Sequence, residues 1–258
     1  MQLLKHWWLL AAFVSTSSAS AFARHSHNNH CHTTPHNGTT PTPTPTPKPR
    51  ATTEGIDLLE IHLPVDWKDS IAAGVEFVYV KATEGIDYRN LRFPSQIGRA
   101  PPEILRGAVH FAKAAESSGA EQADFFIEHG GNWTPDGRTL PGVLEMEGNI
   151  AGKLCHGMTP MEITDWMAEF SVRYEERTGR APMFFLSAEW WAQCGGNNGT
   201  FGAGHDLWLA NWGEEMGVLP VGWKEARFWQ YAWSDGTGGQ ADLFLGSSEE
   251  LLEFAMGR

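Results

Sequence analysis

The sequence predicts an α/β fold in which parallel β/α units form a barrel that antiparallel strands close near the C-terminus. Short apolar segments rich in β-branched and aromatic residues alternate with amphipathic helical segments. After about residue 200 the helical patterns fade, and strands follow one another through loops rich in glycine and tryptophan. The part of the chain that can fold is long enough to bury one large core, so a single barrel accounts for it.

Six segments have the composition of buried strands. They are residues 76–81, 104–111, 142–147, 183–187, 207–210 and 227–231. The clearest helix is predicted over residues 159–178. Its apolar stripe consists of Ile163, Trp166, Met167, Phe170 and Tyr174. Thr159 and Pro160 give this helix a start signal and Gly179 ends it, and a shorter helix is predicted over residues 119–129.

Residues 1–53 lie outside the predicted barrel. Residues 1–23 have the features of a secretory signal peptide, since Lys5 precedes a short apolar stretch and small residues follow it. A membrane anchor is the alternative, but the apolar stretch is too short to cross a bilayer. Residues 24–53 are rich first in histidine and then in alternating proline and threonine, which predicts an extended linker. The mature domain, residues 54–258, is therefore expected to be secreted, extracellular and free of the membrane.

The histidines of the linker, together with Cys31, have side chains that bind copper or zinc. Nothing in the pattern fixes a ligand geometry, so a soluble tail is the simpler interpretation and no metal site is predicted. Cys155 and Cys194 lie in the domain, and an exported chain is expected to pair them in a disulfide. Cys31 is then left over.

The domain is strongly acidic. The first 50 residues hold four of the 19 lysines and arginines and none of the 31 acidic residues, which leaves 15 basic against 31 acidic side chains and a formal charge of −16. A charge of that sign argues against a nucleic-acid partner. We also expect the mature domain to be a monomer and to need no cofactor.

Two carboxylates close an apolar segment at Glu145 and Glu147. Side chains two residues apart on a strand point to the same side, so these two should project together. Neighbouring carboxyl groups do not both ionise freely, and one keeps its proton. A protonated carboxylic acid beside an ionised one is the pair that glycoside hydrolysis requires. A solvated strand end is the simpler alternative.

Other polar and aromatic residues fall near the ends of the predicted strands, where the chemistry of such a barrel is located. Those expected to act with the glutamates or to bind substrate are Asp57, Glu84, His110, Trp208, Asn211, Trp229, Tyr231 and Asp242. Carboxylates with aromatic walls indicate a sugar site, because indole and phenol rings stack on pyranose rings. Alternatives remain open: Asp57 as a buried acceptor, His110 as a structural histidine, and Trp208, Trp212 and Trp229 as core.

The motifs come in a distinctive order. They are Gly55-Ile56-Asp57, Asp66-Trp67, Val80-Lys81-Ala82-Thr83-Glu84-Gly85, Leu105-Arg106-Gly107, His110-Phe111-Ala112, Glu145-Met146-Glu147 and Phe228-Trp229-Gln230-Tyr231. Together they resemble the lysozymes of glycoside hydrolase family 25, the N-acetylmuramidases, in their fungal-type secreted branch. The resemblance implies a flattened TIM-like (β/α) barrel. It also implies cleavage of the β-1,4 bond between N-acetylmuramic acid and N-acetylglucosamine in bacterial peptidoglycan.

By position, the resemblance implies that Glu147 is the general acid and that Glu145 is its nucleophilic or electrostatic partner. It matches Asp57 and Asp242 to acidic residues of the first and last strands. The site nevertheless departs from the family, because Glu145 stands where an Asp is usual. The other departures are Leu59, His62, Gly148, Phe185 and Gln240. An active muramidase with an altered cleft and a catalytically impaired cell-wall glycan-binding protein are both compatible with this pattern.

Overall fold

The computed structural model describes residues 51–148, 153–233 and 238–258. The predicted signal peptide, most of the linker and Cys31 lie outside the described residues. In the part of the chain that is described, no helix is both long enough and apolar enough to cross a membrane.

Eight strands form a closed barrel. They are β1 (Thr53–Leu58), β2 (Val75–Glu84), β4 (Leu105–Phe111), β5 (Val143–Glu145), β6 (Met183–Leu186), β7 (Leu207–Ala210), β8 (Phe228–Ala232) and β9 (Gln240–Phe244). A short strand, β3 (Tyr88–Arg89), pairs only with the end of β2. All neighbours from β1 to β8 are parallel, whereas β9 runs antiparallel to both β8 and β1. The predicted fold class is confirmed, with a single antiparallel strand closing the barrel.

Six helices accompany the strands. They are α1 (Trp67–Ala72), α2 (Phe93–Arg99), α3 (Gly119–Phe126), α4 (Pro160–Thr178), α5 (Ala188–Cys194) and α6 (Ser248–Ala255). Helix α4 starts and ends as predicted: Thr159 and Glu162 form a capping box, and Gly179 adopts a left-handed conformation with φ of 75°. The fading of helical patterns after about residue 200 does not extend to the end of the chain, where α6 is short but carries its own capping box of Ser247 and Glu250.

Aromatic rings fill the lower part of the barrel. They are Phe77, Tyr79, Phe185, Trp208, Phe228 and Phe244. Gly55 and Gly107 make room for them, because a methyl group on either would collide with the ring of Phe77 or Tyr79. The barrel is therefore a packed core below, and the polar side chains at the C-terminal strand ends form the floor of a cleft above it.

Candidate active site

Glu145 is the last residue of β5, and Glu147 follows it two positions later. Val143 points into the barrel, whereas Leu144 and Met146 pack against the helices outside, so the inward register passes through Glu145 and Glu147. Both glutamates are partly buried. The two side chains interact electrostatically with each other and with Asp57, which places all three carboxyl groups in one cluster.

Burial raises the pKa of both glutamates above the ordinary range. The charge of Glu147 raises the pKa of Glu145 further, well above its ordinary value. Two solvated carboxyl groups would both have lost their protons at neutral pH, whereas this pair retains one. Because the two groups titrate together, the retained proton is a property of the pair and not of either glutamate alone. Such a pair can supply an acid and a carboxylate in the same cleft, which is the requirement of glycoside hydrolysis.

Lys81 is the cation that acts on this pair, and it lowers the pKa of both Glu145 and Glu147. It projects from β2 with a mostly buried side chain. Its Nζ lies 2.7 Å from Oε2 of Glu84 and 4.3 Å from the centre of the Phe111 ring. Phe111 is the residue opposite Glu145 in the pairing of β4 with β5. The ammonium group of Lys81 therefore lies over an aromatic ring that neighbours Glu145.

Glu84, a predicted substrate-binding residue, is engaged by two lysines. Lys81 contacts Oε2, and Nζ of Lys113 lies 3.6 Å from Oε1. Lys113 also lies 3.5 Å from Asp87 and 3.5 Å from Glu116. These contacts hold Glu84 at the edge of the cleft, and its clearest structural role is to position Lys81.

Asp57, at the end of β1, accepts a 2.7 Å hydrogen bond from Nε2 of Gln230. Burial raises the pKa of Asp57 to about 7, against the lowering effect of hydrogen bonds to Gln230 and Asp242. Asp242 is fully buried and accepts a 3.1 Å hydrogen bond from the indole of Trp208. Burial favours the protonated form of Asp57, and its interaction with Asp242 makes the two aspartates a second acidic pair beside the glutamates.

His110 does not face the cleft, contrary to the prediction that it binds substrate. It is fully buried on the outer side of β4, where its ring stacks on Phe170 at 5.3 Å. Its Nε2 donates to Gln122 at 2.9 Å, and its Nδ1 accepts from the hydroxyl of Thr83 at 2.8 Å. Burial lowers its pKa to about 4, so it is a neutral structural histidine.

Trp208 does not line the cleft either, because it is a core residue, which is the alternative that the sequence leaves open for it. Only 1% of it is exposed, and its ring packs edge-to-face on Phe185 inside the barrel. Its contribution to the cleft is indirect, through its hydrogen bond to Asp242.

Trp229 and Tyr231, which the sequence predicts to bind substrate, lie on the outer wall of the barrel and face away from the carboxyl groups. Gln230, between them, points inward to Asp57, and successive strand residues face opposite sides. Their rings are 5.7 Å apart, and the Tyr231 hydroxyl donates to Glu54 at 3.2 Å. Asn211, after β7, uses its side-chain amide within its own loop, where it donates to the carbonyl groups of Glu215 and Met216.

The aromatic wall of the cleft is formed instead by Trp212 and Trp233. Trp212 is 53% exposed, and its indole donates a 2.8 Å hydrogen bond to Oε1 of Gln230. Trp233 is 42% exposed and meets Trp212 edge-to-face at 5.7 Å. The sequence pattern identified Trp212 as a candidate but missed Trp233, which follows an irregularity in the pairing of β8 with β9.

Gly148 leaves a space that Leu154 fills, since a Cβ at Gly148 would lie 2.9 Å from Cδ1 of Leu154. The predicted disulfide between Cys155 and Cys194 is formed and anchors this segment. In the same segment, Nε2 of His156 donates a 3.0 Å hydrogen bond to the carbonyl oxygen of Glu147. The backbone around Glu147 is thus held from a second element.

The sequence profile of glycosyl hydrolases family 25 matches residues 56–239. Lysozyme M1 of Streptomyces globisporus is 38% identical over 208 residues, covering 78% of this chain and 71% of that protein. An N,O-diacetylmuramidase of Arthroderma benhamiae is 37% identical over 207 residues, covering 80% and 88%. A solved muramidase structure from Acremonium alcalophilum superposes with a TM-score of 0.78 at 37% identity, covering 80% of this chain and all of that one. The chain therefore belongs to glycosyl hydrolases family 25, and the protein is a glycosidase.

Proposed function

We propose that the protein is a secreted muramidase that hydrolyses the β-1,4 bond between N-acetylmuramic acid and N-acetylglucosamine in bacterial peptidoglycan. The observation that carries the proposal is the proton-sharing pair of Glu145 and Glu147 in a cleft with a tryptophan wall. The names of the relatives, lysozyme and N,O-diacetylmuramidase, support the same chemistry. The disulfide supports export, because such bonds persist in oxidising compartments.

In this mechanism Glu147 donates a proton to the leaving oxygen as the glycosidic bond breaks. Burial and the charge of Glu147 favour the shared proton on Glu145 before substrate binds, so the mechanism requires this proton to pass to Glu147 in the complex. Glu145, then ionised, stabilises the positive charge that develops on the sugar ring, and water supplies the new hydroxyl of the reducing end. The positive charge of Lys81 lowers the pKa of both glutamates and so favours the ionised form of the one that has lost its proton. Asp57, oriented by Gln230, lies close enough to influence Glu147 electrostatically and is available to a sugar amide or hydroxyl.

A second candidate is a glycan-binding protein with little or no turnover. It is favoured by Glu145, whose carboxylate extends about 1.5 Å further than that of an Asp. A shift of about 1 Å in a reacting group costs on the order of a hundredfold in rate. The fold and the tryptophan wall would still bind a glycan in that case.

Reducing-end release from purified peptidoglycan separates the two functions. Wild type, Glu147→Gln, Glu145→Asp and, as a control on an exposed carboxylate, Glu103→Gln are compared. Hydrolysis by wild type and Glu103→Gln, abolished in Glu147→Gln, is expected for the muramidase. Turnover that appears only in Glu145→Asp would support an impaired enzyme. Silence in all four, with retained glycan binding, would exclude the enzyme and leave the binding protein.

A further inference from the structure

A groove of about 270 Å³ lies behind the end of β1, between the segment 61–65 and helix α2. Its floor is apolar, with Leu58 and Trp67 below and Leu63 and Val65 along one side. Leu63 is 77% exposed and Ile61 beside it is 64% exposed. Single side chains elsewhere on the domain are as exposed, for example Val218 at 78% and Met161 at 72%. Here two of them lie two residues apart beside a groove with an apolar floor, and such clusters mark binding surfaces.

The segment that forms this wall is held in place by specific hydrogen bonds. Nδ1 of His62 accepts from the backbone N–H of Leu59 at 2.9 Å, and Nε2 of Gln96 on α2 donates to the carbonyl oxygen of Leu59 at 3.0 Å. The hydroxyl of Tyr88 donates to Glu60 at 2.6 Å. The groove is therefore a preformed feature, and its exposed apolar side chains are presented on a supported backbone.

The opposite wall carries two arginines, Arg92 and Arg99. Within the described residues neither guanidinium has a carboxylate within ion-pairing distance, and Arg92 contacts only the carbonyl oxygen of His62, at 3.4 Å. In a domain of formal charge −16, this is a local concentration of unneutralised positive charge. Arginine's planar donor fork matches carboxylates, which indicates an anionic ligand with carboxylate groups.

The groove adjoins the cleft. Leu58, in its floor, is the neighbour of Asp57 on β1, and the two side chains face opposite sides of the strand. Gly239 packs so closely on the carbonyl of Asp57 that a Cβ there would lie 2.6 Å from the oxygen, whereas a Cβ on Gly238 would make an ordinary contact with Val65, at 3.8 Å. The segment that packs against Asp57 therefore also borders the groove at Val65.

We propose that this groove binds the acidic stem peptide that peptidoglycan carries on the lactyl group of N-acetylmuramic acid. The peptide's free carboxylates meet Arg92 and Arg99, and its alanine methyl groups lie on Leu63, Val65 and Trp67. The proposal rests on the proposed function, since it places a peptidoglycan strand in the adjoining cleft. The apolar floor favours a peptide, whose carboxylates are separated by apolar residues, over an anionic phosphate polymer of the wall, whose polar backbone carries a phosphate charge on every repeat.

The test uses peptidoglycan freed of phosphate polymers, in two forms: with stem peptides, and with the peptides removed by an N-acetylmuramoyl-L-alanine amidase. Binding is measured by co-sedimentation in the Glu147→Gln background, so that it does not depend on turnover. The double variant Arg92→Gln/Arg99→Gln is compared with Lys224→Gln/Arg258→Gln, which removes the same charge from exposed positions outside the groove. We expect the groove variant to bind the peptide-bearing form about five- to tenfold more weakly and the stripped form unchanged.

Equal weakening on both forms, or the same loss in the control pair, would overturn the proposal in favour of general electrostatic attraction. Cell walls that retain their phosphate polymer serve as a third substrate, and a loss of binding seen only on these walls would overturn the proposal in favour of that polymer. Hydrolysis by wild type without any preference for the peptide-bearing form would refute the groove and leave the muramidase intact. A preference that depends on the arginines, in a wild type that hydrolyses neither form, would support the groove and refute the muramidase.

Discussion

Gln230 donates a 2.7 Å hydrogen bond from Nε2 to Oδ2 of Asp57. The same amide accepts, at Oε1, a 2.8 Å hydrogen bond from Trp212, which fixes the orientation of the amide group. One side chain therefore sets the position of a buried carboxyl group and of an exposed aromatic face. A substitution at Asp57, Gln230 or Trp212 will alter the hydrogen bonds of the other two residues. The effects of such substitutions on stability and activity should therefore not be additive.

The first prediction concerns the stability of Asp57→Asn as a function of pH. The pKa of Asp57 is 3.8 when unperturbed and about 7 in the folded protein. Between these values the folded state holds a proton that the unfolded state has released, so stability falls as pH rises through this window. Three pKa units correspond to at most about 4 kcal/mol. Asparagine does not titrate, and the variant should gain stability relative to wild type from about pH 4 to pH 7.

Thermal melting of both proteins across this range provides the measurement, and Asp165→Asn on the exposed face of α4 is the control. Glu145 and Glu147 shift in the same direction as Asp57, so part of the pH dependence will persist in the variant. Parallel curves for wild type and Asp57→Asn would show that Asp57 is ionised in the folded protein throughout.

The site predictions that the structure does not support have two physical origins. Trp208 faces into the barrel but lies in the packed layer below the cleft, and a strand segment does not show depth along the barrel axis. The strands were found only approximately, since β2 extends to Glu84, and a parallel strand that is buried on both sides has no polar alternation from which its register can be read. A one-residue shift exchanges the inward and outward faces, and this is what separates Gln230 from Trp229 and Tyr231. The spacing of two between Glu145 and Glu147 predicts only that they share a side, as it does for Trp229 and Tyr231. The inward side is indicated for the glutamates because Leu144 and Met146, between and beside them, are the apolar residues that pack under the helices. Helices α1, α2 and α5, of only six or seven residues, are too short to show a helical repeat.

The second prediction concerns Lys81→Met and the pH dependence of hydrolysis. Lys81 lowers the pKa of Glu145 and Glu147, so its removal raises both. The ionised partner then needs a higher pH to lose its proton, and the acid keeps its proton to a higher pH. Both limbs of the kcat/KM profile should move to higher pH. Lys81→Arg retains the charge and should move them less. A lower rate with unchanged limbs would show that Lys81 acts only in packing.

The third prediction concerns Trp212→Ala, which removes half of the proposed sugar-stacking wall. We expect KM for a soluble peptidoglycan fragment to rise about tenfold, because ring stacking contributes roughly 1 kcal/mol beyond the area that it buries. Trp212→Phe retains a ring but loses the hydrogen bond to Gln230, so it should reduce kcat more than it raises KM. Trp229→Ala, on the outer wall, should leave KM within about twofold of wild type. A larger effect at Trp229 than at Trp212 would contradict the strand register described here.

The last prediction concerns the disulfide, which joins Cys155 to Cys194 across 39 residues. Cys155→Ser/Cys194→Ser should lose about 3–4 kcal/mol of stability, since the crosslink restricts the unfolded chain. For a domain of this size that lowers the melting temperature by roughly 10 °C.

The bridge also anchors Leu154 against Gly148 and His156 against the carbonyl of Glu147, so activity should fall at 25 °C, where the variant is still folded. Leu154→Ala, with the bridge intact, separates the loss of stability from the loss of the contact beside Glu147. It removes the contact, but its melting temperature should stay within a few degrees of wild type. Full activity in the double serine variant would show that α4 and α5 hold the segment over Glu147 without the crosslink.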